Sequence, residues 1–360
     1  MKKSLLGIAI LAVALLFLVG CNNNEETPAD VETEPVQEIA EPVEEDVEEP
    51  VEEEAPVVAV EINIGVIQGP SVMGMIGLMN EADSGQIGED TYNFTLAGSP
   101  DEIVPNIVQG NFDIAAVPPN LASVLYNNTE GDVQVIAINT LGVLHIVEAG
   151  HEINSVEDLR GMTIYASGQG SAPEFVLNYI LEGNGIDPNE DINIEFLAEH
   201  TEVVARLAMN EDAVAMLPQP FVTVAQTQND DLRMALDLTA EWDAVQAATE
   251  GPTSALIMGV LVARRAFIEE NPEAIATFLA RYADSVEFVN NNVEEAAELL
   301  ASYDIFPAPI ATRAIPHSNV VFIQGQEMQE LLSGYLQVLF DANPASVGGE
   351  MPSEAFYHNK

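Results

Sequence analysis

From Ala59 to Ala263 the chain alternates short apolar runs with amphipathic stretches, and Gly, Pro or a capping residue marks nearly every boundary. This repetition constrains the fold more than any other feature, because a strand followed by a crossover helix returns in parallel to its own sheet. Ala59 to Ile67 alternates apolar and polar residues as a strand does; Gly69-Pro70 breaks it, and Ser71 to Met79 reads as a helix. Tyr92 to Leu96 is a strand. Ser99-Pro-Asp-Glu102 has the form of a capping box with proline at the first helical position, opening a helix that ends near Gly110. Asp113 to Val117 is a strand stopped by Pro118-Pro119, Asn120 caps a short helix into Tyr126, and Val133 to Asn139 is a further strand.

The pattern resumes at Ser155-Val-Glu-Asp158, a cap for a short helix that Arg160-Gly161 ends. Strands follow at Met162–Ala166, Asn193–Leu197, Ala213–Leu217 and Arg233–Leu236. Between them lie helices from Pro173 to Glu182, from a Thr201 cap to Met209, and from Phe221 to Gln228. After a strand at Ala255–Ala263 the chain is almost wholly helical, with starts at Pro272, Val293 and Gly325. The expected class is α/β, with a mainly parallel sheet covered on both faces.

The first 57 residues have a different character. Lys2 and Lys3 precede an apolar run from Leu5 to Val19, the build of a secretory signal. The run is shorter than the ~20 apolar residues of a spanning helix. Cys21, the only cysteine, follows Gly20, and this pairing resembles the lipobox of bacterial lipoproteins. The resemblance implies a signal over 1–20 and a mature chain that starts at a lipidated Cys21. From 21 to 57 the chain is polar, with Glu-Pro-Val recurring at Glu34, Glu41 and Glu49 and with 16 acidic side chains and no basic one across 25–61. Proline blocks helix and like charges repel, so the expectation is an extended, disordered tether.

After position 61 there are 43 acidic residues against 8 basic ones, and no Lys or Arg occurs between Lys3 and Arg160. This excludes nucleic acid, which needs clustered cations, and docking on an anionic lipid surface. Catalytic patterns are missing too. His145, His151, His200, His317 and His358 have no metal-site spacing, Cys21 is committed to lipid, and no phosphate-loop lysine motif is present. The expectation is a protein without cofactor, metal or enzymatic activity. Met73 and Met75 read as core, and Arg206 as the partner of neighbouring carboxylates.

Ile64-Gly-Val-Ile-Gln-Gly69, Leu96 to Glu102, Asp113 to Asn120, Ser155 to Gly161, Gly168 to Leu181, Ala215 to Pro220 and Pro272 to Phe278, in that order, carry a resemblance. The chain resembles extracytoplasmic solute-binding proteins of ABC importers, nearest to the nitrate, sulfonate and taurine binders and the thiamine-pyrimidine precursor binders. That resemblance implies a type II, two-lobe, periplasmic-binding-protein-like fold with a ligand cleft between lobes. The expected lobes are 58–147 with 240–360, and 148–239. It also implies a permease and an ATPase as partners, a monomeric state, and the outer face of the cytoplasmic membrane, as on a Gram-positive cell surface. A sensory lipoprotein of the same fold is the alternative.

In open α/β sheets ligands sit beyond the carboxyl ends of the strands. Four loops occupy that position: Gly69, Pro70 and Ser71; Pro119 and Asn120; Ser167, Gly168, Gln169, Gly170 and Ser171; and Pro218 with Gln219. The Ser167–Ser171 loop is the strongest candidate, since glycines admit a ligand to the backbone and helix-start N–H groups hold an anion without arginine. Trp242, after the return crossing, is a candidate either to cover the ligand or simply to pack in the core. The expected cargo is sulfonate-, carboxylate- or pyrimidine-like.

Overall fold

The computed structural model describes residues 59–210, 212–249 and 252–359. The signal, Cys21 and the tether lie outside the described residues. Among the described residues eleven strands form two sheets. The first holds β1 (Glu61–Ile67), β2 (Thr91–Ala97), β3 (Ile114–Val117), β4 (Val133–Leu141), β10 (Ile257–Arg264) and β11 (Val320–Ile323), in the order β11-β4-β10-β3-β1-β2. The second holds β5 (Leu144–Glu148), β6 (Thr163–Ser167), β7 (Asn193–Leu197), β8 (Val214–Pro218) and β9 (Arg233–Asp237), in the order β7-β6-β8-β5-β9.

Four of the six strands in the first sheet and four of the five in the second run one way, so each sheet is mainly parallel in strand direction but mixed in its pairing. β2, β1 and β3 pair in parallel, but β10 lies antiparallel between β3 and β4. In the second sheet β7, β6 and β8 are parallel, while β5 runs against β8 and β9. The reason is the crossing. A chain that leaves one sheet at the carboxyl ends of its strands enters the next at that same end, so its first strand runs the opposite way. β5 and β10 are those two strands. β5 had no sequence signal of its own, because Gly142 is the only break between two apolar runs.

The helices are α1 (Pro70–Met73), α2 (Ile76–Asp83), α3 (Pro100–Val108), α4 (Pro119–Asn128), α5 (Ala172–Gly183), α6 (His200–Met209), α7 (Phe221–Gln228), α8 (Leu238–Ala248), α9 (Arg265–Glu270), α10 (Pro272–Asn291), α11 (Val293–Ser302), α12 (Ala308–Ala314) and α13 (Gly325–Ala342). The single helix expected over 71–79 is two, α1 and α2. In a continuous helix Leu78 N–H would donate to the carbonyl of Gly74. Instead Ser285 Oγ of α10 sits between them, accepting from Leu78 N at 3.1 Å and donating to Gly74 O at 2.7 Å. The cap expected at Asn120 is also displaced, since α4 starts one residue earlier and the Asn120 amide reaches Ser346 O at 3.5 Å. Thr201 likewise lies inside α6, whose cap is Glu199.

Apolar clusters cover both faces of each sheet. One includes Met73 and Met75, both fully buried, against α10 and α11. Another lies under α6 and α7. The largest runs through both sheets, and Trp242 and Tyr335 belong to it. The chain leaves the first sheet at Leu141 and enters the second at Leu144, and α8, to Ala248, packs on α5, β5 and β9. No helix among the described residues is long and apolar enough to cross a membrane.

Candidate functional site

Six parallel strands, three from each sheet, end at one place. The residues after β1, β2, β3, β6, β7 and β8 border two adjoining cavities of about 800 Å³ and about 360 Å³. Ile67, Gly98, Pro118, Pro173, His200, Phe221 and Met258 border both, so the two make one cleft with contributions from each sheet. Such volumes suit a small organic molecule.

Of the residues expected from sequence, Gly69, Pro70, Ser71, Pro218 and Gln219 border the smaller cavity. Pro119, Asn120, Ser167, Gly168 and Ser171 border the larger one. Three are elsewhere. Gln169 and Gly170 are exposed at the tip of their loop. Trp242 is fully buried: its Nε1 donates to Ser254 Oγ at 3.1 Å, and its ring packs against Tyr179 and Tyr335 at 4.4 and 5.6 Å between centroids. It is a core residue between α5 and α13, not a cover for the cleft.

The glycine-rich loop spends part of its hydrogen-bonding capacity on itself. Gly168 has φ +84°, a conformation glycine adopts without strain. Ser171 N and Oγ both donate to Gly168 O, at 3.1 and 2.5 Å, and Gly170 N donates to Glu174 Oε2 at 2.5 Å. What the loop offers a ligand is therefore Ser167 and the start of α5. Helices α4, α5, α6 and α7 all begin at the cleft wall, and the first N–H groups of a helix have no partner within it. Their positive dipole ends make the cleft hospitable to electron-rich groups. Among the described residues bordering either cavity there is no Lys or Arg, and Glu199, exposed, is the one carboxylate.

His200 is the residue that sequence reasoning missed. As the first residue of α6, it stands where the two cavities meet. Its Nδ1 lies 2.5 Å from Ser167 Oγ, and the Phe221 ring lies 4.8 Å from its own. Burial holds its protonation below the ordinary histidine range, against a smaller opposing pull from Glu199, so the ring is neutral at pH 7. Counting histidine spacings for metals hid it. Reading the loop after every strand, including the one at 193–197, would have found it. Arg206, further along α6, stacks over Tyr165 at 4.8 Å, and among the described residues no ion pair to a carboxylate joins it.

The model of one protein family, described as "ABC transporter, phosphonate, periplasmic substrate-binding protein", matches residues 84–308. The chain belongs to this family. Its members are substrate-binding components of ABC importers and not enzymes. Solved structures share the fold. A crystal structure of an ABC transporter protein from Parabacteroides distasonis is 19% identical with a TM-score of 0.70, covering 83% of this chain and 99% of that one. The periplasmic aliphatic sulphonate binding protein SsuA from Escherichia coli is 16% identical with a TM-score of 0.64, covering 83% and 96%. The periplasmic nitrate-binding protein NrtA from Synechocystis is 13% identical with a TM-score of 0.54, covering 80% and 82%. No curated protein sequence matches the chain. This ABC substrate-binding protein thus has its family's two-sheet α/β architecture.

Proposed function

We propose that this protein is a lipid-anchored binding component that captures a small organic solute in the cleft and delivers it to a membrane permease driven by a separate ATPase. Cys21 carries the lipid, 21–57 is the spacer, and the working unit is a monomer on the outer face of the cytoplasmic membrane. One observation carries the cargo reading: helix starts from both sheets converge on a cleft whose wall includes the apolar Ile67, Leu121, Ile257 and Met258. The solute has an electron-rich edge, a sulfonate, carboxylate, phosphonate or pyrimidine-like group, held by Ser167, the neutral His200 and the N–H groups at the starts of α5 and α6. Its body lies on the apolar wall. Contacts to both sheets favour a closed arrangement of the lobes by differential affinity, with motion at the two crossings.

A thermal-shift screen of the protein against sulfonates, phosphonates, carboxylates, nitrate and pyrimidines tests this. A ligand at 100-fold over its dissociation constant adds ~2.7 kcal/mol of stability. A hit that Ser167→Ala together with His200→Phe abolishes supports the reading. A folded protein that is silent across the panel, or a hit indifferent to both substitutions, counts against it.

A further inference from the structure

The smaller cavity has a floor whose polar groups the capture of an electron-rich edge leaves unused. Thr140, at the end of β4, donates from Oγ1 to Asn139 Oδ1 at 3.1 Å, and Ser71 Oγ lies 3.5 Å from Thr140 Oγ1. Ser71 and Thr140 border the cavity directly. Asn139 stands behind them, fully buried, and its Nδ2 has no hydrogen-bond partner among the described residues. A buried donor left unpaired is destabilising unless a partner reaches it. The three groups converge on the bare Cα of Gly259 in β10. A Cβ there would stand 2.3 Å from Asn139 Oδ1 and 2.8 Å from Ser71 Oγ. Glycine at this position leaves room for the three side chains to gather.

The charge around it is as informative as the hydrogen bonds. Among the described residues bordering the smaller cavity none is Asp, Glu, Lys or Arg. An ammonium entering here would lose water and meet no carboxylate, a penalty of several kcal/mol. A hydroxyl or amide would be matched by the Ser71 and Thr140 hydroxyls, with Asn139 behind them orienting Thr140.

We propose that Ser71, Thr140 and Asn139 form a second recognition point, in the first sheet, for an uncharged hydroxyl, carbonyl or amide group of the cargo, so that zwitterionic solutes are excluded. This rests on the reading that the cleft is the cargo site. It goes further by assigning what the cargo carries away from its electron-rich edge. A solute held at both points touches β6 and α6 on one side and β4 and α1 on the other, which is what ties ligand binding to the approach of the two sheets.

The test is calorimetric titration of the full chain with probes that differ only at the distal group. Hydroxyethanesulfonate, ethanesulfonate and aminoethanesulfonate form one set, their phosphonate counterparts a second, and hydroxymethyl- and aminomethylpyrimidine a third with a neutral head. The expected order is hydroxyl first, about tenfold tighter than the unsubstituted probe, with the ammonium weakest by about a hundredfold. Thr140→Val brings the ratio of hydroxyl to unsubstituted probe close to one. Should that variant not fold, Ser71→Ala reports the same ratio. An ammonium probe that binds as well as or better than its hydroxyl partner overturns the inference while leaving the cargo site standing. So does a hydroxyl preference that survives both substitutions. Silence from all three sets removes the underlying reading, and the inference with it.

Discussion

Trp242 and His145 show how burial sets the role of a single side chain. Trp242 is the only tryptophan, and its place after a crossing left both the cleft and the core open to it; its neighbours Tyr179, Tyr335 and Ser254 bind it into the core. His145 is buried in β5, with Nδ1 at 3.1 Å from Val143 O. Burial, chiefly, holds its protonation below the ordinary range; Asp237 opposes this and His317 adds to it. His200 is shifted in the same direction. An unfolded histidine titrates near ~6.5. Between that value and the lower folded one the unfolded chain holds more protons, so stability rises with pH. It is fully present above ~6.5 and is lost as pH falls below. Urea denaturation from pH 7.5 to 5 is expected to show a falling midpoint, and His145→Gln a shallower fall. An unchanged slope in the variant would show that His145 is not the group responsible.

At the scale of elements, local pattern and tertiary contact compete, and the start of the chain's first helix shows which prevails. Gly74 and Gly77 weaken a helix over 71–79 by about 1 kcal/mol each, yet the segment stays helical on either side of the break. The break itself belongs to Ser285, which takes both halves of one helical hydrogen bond from the other side of the core. Ser285→Ala leaves a buried N–H and a buried carbonyl to find each other or go unpaired. A loss of about 1–3 kcal/mol in the unfolding free energy is expected. A variant as stable as the parent would mean that the two backbone groups re-form an ordinary helical turn. Elsewhere local signals suffice. The cap read at Ser155 forms, with Asp158 Oδ2 accepting from Ser155 N at 2.9 Å, and the helix expected over 221–228 has those limits.

The whole molecule carries a formal net charge of −49 and has only ten Lys and Arg side chains. Among the described residues Arg160, Arg233, Arg264 and Arg281 each pair with a carboxylate, far too few to balance the 59 acidic side chains of the sequence. The self-repulsion of this charge opposes the compact state and is screened by salt. Raising sodium chloride from 0.01 to 1 M shortens the screening length from ~30 to ~3 Å. The midpoint of thermal unfolding is expected to rise across that range. A flat or falling midpoint would show that the acidic surface is not a source of instability here.

The sequence by itself determined the α/β class, the position of most strands and helices, and the rule that places a ligand beyond strand carboxyl ends. These follow from periodicity, capping and chain breaks, which act over a few residues. It also singled out ten of the residues that border the cleft, because loops after strands are local features. The tertiary structure decided the rest. Strand direction in each sheet depends on where the chain crosses, and β5 is defined by the partners β8 and β9 rather than by its own pattern. His200 gained its place from Ser167, thirty-three positions away, and the nook at Gly259 from residues in α1 and β4. Hydrogen bonds and burial between segments far apart in the chain leave no periodic mark in either segment, and those contacts make the site.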